Sequence, residues 1–72
     1  MDKPSFYEIR VEGQLSDRWS DWFERLAIRN EPNGETTLSG LISDQAALFG
    51  VLNKIYALNL RLISVNRSTP QE

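Results

Sequence analysis

The sequence of 72 residues contains neither histidine nor cysteine. Without cysteine there is no disulfide, no thiolate metal site and no thiol nucleophile. Without histidine there is no imidazole base, no imidazole metal ligand and no Ser-His-Asp triad. An excess of positive charge is missing too: 8 Lys and Arg stand against 10 Asp and Glu, a formal net charge of −2. A protein that binds nucleic acid is expected to carry a basic excess to offset phosphate, whereas the cations here are scattered singly along the chain. No apolar run approaches the roughly 18 residues that suggest a membrane span. The polar start Met1-Asp2-Lys3-Pro4-Ser5 lacks the apolar stretch of a signal peptide. Gly13, Gly34, Gly40 and Gly50 are isolated, so no loop rich in glycine is available to cradle phosphate. These absences predict a soluble cytoplasmic protein with no cofactor, no bound metal, no nucleic-acid partner and no membrane partner.

What is present is periodicity. A chain of this length makes one domain, with a folded unit over 6–66 and loose polar ends at 1–5 and 67–72. From Phe6 to Glu12, Tyr7, Ile9 and Val11 alternate with Glu8, Arg10 and Glu12, the period of a strand with one buried face. Leu15, Trp19, Trp22, Phe23 and Leu26 follow the spacing of one helix face, with Ser16 as N-cap. Leu26–Glu31 and Glu35–Ile42 flank Pro32-Asn33-Gly34, a hairpin signature. A two-residue loop would set apolar against polar residues across the ladder. A three-residue loop pairs Asn30 with Thr36 and Ile28 with Leu38, at the cost of Glu31 facing Glu35. Ser43 or Asp44 caps a second helix over about Gln45–Leu58, with Leu48, Val51, Leu52, Ile55 and Leu58 as its stripe and Asn59 as a left-handed C-cap. Leu60–Asn66 reads as the last strand.

The order strand, helix, strand, strand, helix, strand predicts an α+β fold. Its form is a ferredoxin-like βαββαβ sandwich, a four-stranded antiparallel sheet in the order 4-1-3-2 with two helices on one face. The helix-facing side of the sheet takes Tyr7, Ile9, Val11, Leu26, Ile28, Leu38, Ile42, Ile63 and Val65. The other face takes Glu8, Arg10, Glu12, Ala27, Arg29, Thr37, Ser39, Leu41, Leu62, Ser64 and Asn66. That open face is either a solvated surface or a polar interface in which Arg10 and Arg29 meet Glu8 or Glu12 of a second copy. Trp19 and Trp22 are expected to fill the core. Phe49 and Tyr56, on one shoulder of the second helix, either seal the gap between the helices or form a small aromatic patch for a partner.

Tyr7–Gly13, Trp19–Phe23, Leu38-Ser39-Gly40, Asp44–Leu48 and Leu62–Val65 resemble a group of short bacterial hypothetical proteins without an assigned activity. The resemblance implies a bacterial cytoplasmic setting and a fold, but no catalytic residues. Members of that group usually carry Gly where this chain has Asn59. More distantly the expected topology is similar to ACT-type ligand-sensing domains, an analogy of fold alone.

The residues therefore weigh against an enzyme and favour a small interaction or regulatory module, either a homodimer or the partner of another protein. Its interface is expected among Glu8, Arg10, Glu12, Arg29, Ser39, Phe49 and Tyr56. The alternative is a small-ligand sensor or a small dimeric enzyme with a site between sheet and helices, using Arg10, Arg29 and Ser39 as polar contacts.

Overall fold

Alternating apolar and polar side chains build strand β1 (Ser5–Glu12), where Ile9 and Val11 are fully buried and Glu8, Arg10 and Glu12 face solvent. The structure is a computed structural model and describes residues 4–68. β1 runs antiparallel to β3 (Glu35–Ile42) on one side and to β4 (Arg61–Ser68) on the other. β2 (Ala27–Asn30) pairs with the outer side of β3, so the sheet order is β2-β3-β1-β4, or β4-β1-β3-β2 from the opposite edge. Ser5 opens β1 and Arg67 and Ser68 close β4, so these three positions of the expected loose ends belong to the sheet. Residues 1–3 and 69–72 lie outside the described residues.

The β2–β3 hairpin adopts the three-residue loop. Asn30 faces Thr36 and Ile28 faces Leu38. The Gly34 N–H donates to the Glu31 carbonyl at 3.1 Å, and the Glu31 N–H donates to the Glu35 carbonyl at 2.7 Å. Gly34 takes φ +90°, the left-handed position that closes a type I turn with a bulge.

The expected ferredoxin-like sandwich is overturned by its helices: two were expected on one face of a sheet ordered 4-1-3-2, and the second layer is built otherwise. The described residues hold four antiparallel strands in the order β2-β3-β1-β4 and one α-helix, α1 (Gln45–Ala57), which follows β3. The stretch expected as the first helix makes only a 3-10 turn at Asp17–Ser20 and then irregular turns to Arg25. Only about ten residues separate Asp17 from β2, too few for a helix to be stable without strong packing. Ser20 and Asp21 also compete with helical hydrogen bonding. The Ser20 hydroxyl donates to the Leu26 carbonyl at 2.7 Å, and the Arg25 N–H donates to the Ser20 carbonyl at 2.7 Å. Glu24 and Arg25 then take φ +60° and +64°, which reverse the chain into β2 at a cost of roughly 1–2 kcal/mol each.

Helix α1 forms as its pattern dictates. Asp44 is the N-cap, its carboxylate accepting the Ala47 N–H at 2.8 Å. Asn59 takes φ +60°, with the Leu60 N–H reaching back to the Ile55 carbonyl at 3.2 Å. Leu48, Val51 and Ile55 are buried beside Leu15, Phe23 and Leu26 of the turn segment and Ile9, Val11, Leu38 and Ile42 of the sheet. The 3-10 turn packs beside β2, while α1 lies along β3 and β4.

One register detail changes which side chains share a face. β4 bulges between its pairings with Arg10 and Val11: Arg10 faces Ser64, whereas Val11 faces Leu62, with Ile63 left over. Ile63, expected on the helix side, is therefore the extra residue. Leu62, expected on the open face, instead stands opposite core-facing Val11. Both remain more than 40% exposed, at 45% for Leu62 and 42% for Ile63.

Candidate functional site

Because the helix and the turn segment both cover one side of the sheet, its other side is bare among the described residues. Cross-strand partners share a face, so the register writes out its rows. The central row is Arg29–Thr37–Arg10–Ser64, with Ala27–Ser39–Glu8–Asn66 on one side of it. On the other side lie Glu35, Glu12 and Arg61, with Glu31 just past the end of β2. Beyond the row of Glu8, Phe6 stands opposite Leu41, and both are exposed, Leu41 at 66%. A basic row thus lies one strand period, about 7 Å, from an acidic one.

The two rows interlock. Arg29 Nε donates to Glu31 Oε2 at 2.9 Å, and the Thr37 hydroxyl donates to the same oxygen at 2.8 Å. Arg10 Nη1 lies 3.9 Å from Glu35 Oε1, an ion pair too long for a hydrogen bond. That carboxylate oxygen is buried and accepts no hydrogen bond among the described residues. Arg61 Nε lies 3.6 Å from Glu12. The repulsion expected between Glu31 and Glu35 is met by giving each a cation of its own. Thr37 is almost fully buried on this bare face.

The Thr37 hydroxyl, followed by the Arg29 guanidinium, holds the Glu31 carboxyl below its ordinary value of 4.5. Arg29 is raised by its hydrogen bond and charge pairing with Glu31. A depressed carboxyl adds stability that is complete above its unfolded value and is lost as pH falls through the folded one. The raised Arg29 loses its share only above the ordinary arginine range, at alkaline pH beyond that of the melts. The gap in melting temperature between the wild type and Glu31→Gln is accordingly expected to narrow from pH 7 to pH 3 in thermal melts followed by circular dichroism. A gap that stays constant would remove Glu31 from the acid response.

The expected interface residues do not all gather here. Glu8, Arg10, Glu12, Arg29 and Ser39 share the bare face, but Phe49 and Tyr56 lie on α1, 55% and 83% exposed. With no second helix among the described residues there is no gap between helices for them to seal. Trp19 and Trp22, expected in the core, are 37% and 41% exposed and meet edge to face at 6.2 Å. The failed helix leaves only Leu15, Phe23 and Leu26 of that stripe buried. Lys54 of α1 sits 5.5 Å over the Trp22 ring and pairs with Glu24, joining helix to turn segment.

Glu31 and Glu35 were missed as site residues because the hairpin tip reads as solvent. The signal was present, since a three-residue loop places both carboxylates in line with the arginine row. A groove of about 220 Å³ lies on the helix side, lined by Glu24, Leu41, Ile42, Ser43, Ala47 and Val51. Arg10, Arg29 and Ser39, the polar contacts expected of a site between sheet and helices, stand on the opposite face from it. Among the described residues no helix is long and apolar enough to cross a membrane.

Comparison with known proteins adds one match. A family model described as "Domain of unknown function (DUF8691)" covers residues 6–66. No curated protein and no solved structure matches the chain.

Proposed function

The chain belongs to the DUF8691 family, a domain of unknown function, and from that premise we propose that it is a non-enzymatic interaction module of the bacterial cytoplasm which pairs with a second copy through the bare sheet face. The observation that carries this reading is the adjacent basic and acidic rows on a face that no helix among the described residues covers. A two-fold axis between the arginine row and the row of Glu8 lays Arg10 and Arg29 of each copy on Glu8 of the other, so one patch complements itself. Phe6, Leu41 and Ala27 add apolar area at one end of that patch.

Glu8 is the charge best suited to test it. It lies on the face, and no salt bridge ties it to its own chain among the described residues. Arg10 is a poorer choice, because reversing it would put a second carboxylate against the buried Glu35 oxygen. Sedimentation velocity at high micromolar concentration is expected to show a dimer for the wild type. Glu8→Arg should weaken that dimer about tenfold while melting stays unchanged. A strict monomer, or a dimer indifferent to Glu8→Arg, would overturn the reading.

A ligand sensor is the weaker reading. The groove on the helix side, at about 220 Å³, is smaller than typical small-molecule pockets of roughly 300–1,000 Å³. It offers Glu24 and Ser43 as side-chain polar contacts. A thermal-shift screen of amino acids, nucleotides and organic acids separates the two readings, because only a sensor gives a large shift with one ligand.

A further inference from the structure

The two edges of the sheet are built differently. β2 has only four residues and is tied to the preceding segment on the helix side: the Asn30 side chain accepts the Leu15 N–H at 3.1 Å and donates to the Leu15 carbonyl at 3.0 Å. β4 has eight residues, pairs among the described residues with β1 alone, and is exposed at six positions. Past the bulge at Ile63, Ser64–Ser68 keeps an unbroken register with Phe6–Arg10. Its outer side therefore presents a regular row of backbone donors and acceptors, the template onto which an extended chain adds as a strand.

The side chains of β4 narrow the choice of occupant. The strand carries Arg61 and Arg67 and no carboxylate. Arg61 leans on Glu12, while Arg67 stands exposed. A second copy would have to pair with this edge antiparallel about a two-fold axis. Centred on Ser64, that pairing runs into the bulge at Ile63, which leaves Arg67 on the helix side and Arg61 on the bare face. Centred on Val65 or Asn66, it sets Arg67 against Ile63 or Val65. No self-pairing of this strand supplies Arg67 with a carboxylate.

We infer that the β4 edge is a docking site for an extended acidic segment of another protein, which adds as a fifth strand with a carboxylate near Arg67 and an apolar residue beside Val65. This surface is separate from the bare sheet face, so either can operate without the other.

The test uses a fluorescent, end-capped peptide alternating valine and threonine with a glutamate at each end, and the same peptide with lysines in place of the glutamates. Fluorescence anisotropy is expected to show saturable binding of the acidic peptide that weakens with salt, and at least about tenfold weaker binding of the basic one. Amide exchange should slow at outward-facing β4 positions. Arg67→Glu, checked for an unchanged melt, should invert the preference, and Glu8→Arg should leave it as it is. Absence of binding at millimolar peptide, equal affinity for both peptides, or protection on the face of Glu8 instead of β4 would overturn the inference. So would β4 amides already protected in a dimer of the free chain.

Discussion

Phe23→Ala is expected to destabilise the domain by about 3–5 kcal/mol and leave most of the protein unfolded at room temperature. Phe23 is the largest fully buried side chain and comes from a segment with no regular structure after Ser20. Its N–H donates to the Trp19 and Ser20 carbonyls, both at 3.1 Å, and its carbonyl accepts the Leu26 N–H at 3.1 Å. Removing the ring leaves a cavity among Leu15, Leu26 and the β-strand core, and it frees Glu24 and Arg25 to leave their strained conformation. A core of this size supplies only about 3–5 kcal/mol of net stability, so the loss consumes most of it. Urea unfolding followed by the fluorescence of Trp19 and Trp22 measures the effect. Phe23→Leu, which keeps much of the volume, should cost about half as much. A loss below 1 kcal/mol for Phe23→Ala would mean that the segment is not part of the cooperative core.

Gly40→Ala is the second large effect, about 2–3 kcal/mol. Gly40 sits in β3 at φ +154°, and a Cβ there would lie 2.9 Å from Leu26 Cδ2. Leu26 is almost fully buried, so it has little room to retreat. It fills the space beside β3 beyond the end of β2, which begins only at Ala27. In a Leu26→Ala background the clash is gone and only the backbone cost remains. Gly40→Ala should then be milder by about 1 kcal/mol or more, a coupling that a double-mutant cycle reads directly. Additive losses would show that the backbone angle alone requires glycine.

Several elements are legible before any coordinates. Alternation over Phe6–Glu12 marks β1, the hairpin loop follows from matching apolar partners across the ladder, and Asp44 and Asn59 bracket α1. Each of these rests on interactions a few residues long or on a single pair of strands, so local pattern suffices. The same logic fails for Leu15–Leu26. Its apolar spacing is that of a helix, yet a helix also needs length and hydrogen bonds that its own serine and aspartate contest. Burial of Leu15, Phe23 and Leu26 is achieved without one, and Trp19 and Trp22 are left half exposed.

The candidate site divides in the same way. The strand period assigns Glu8, Arg10, Glu12, Arg29 and Ser39 to one face, since successive side chains must alternate. It is silent on whether anything covers that face, on the bulge that shifts Leu62 and Ile63, and on the ion pairs joining Arg29 to Glu31 and Arg10 to Glu35. Those depend on chain segments brought together from a distance. Composition and periodicity thus suffice to establish a small α+β sheet protein without imidazole or thiol chemistry. The number of helices, the bare face and the open β4 edge follow from packing, because burial is satisfied for the chain as a whole and no segment settles its own share alone.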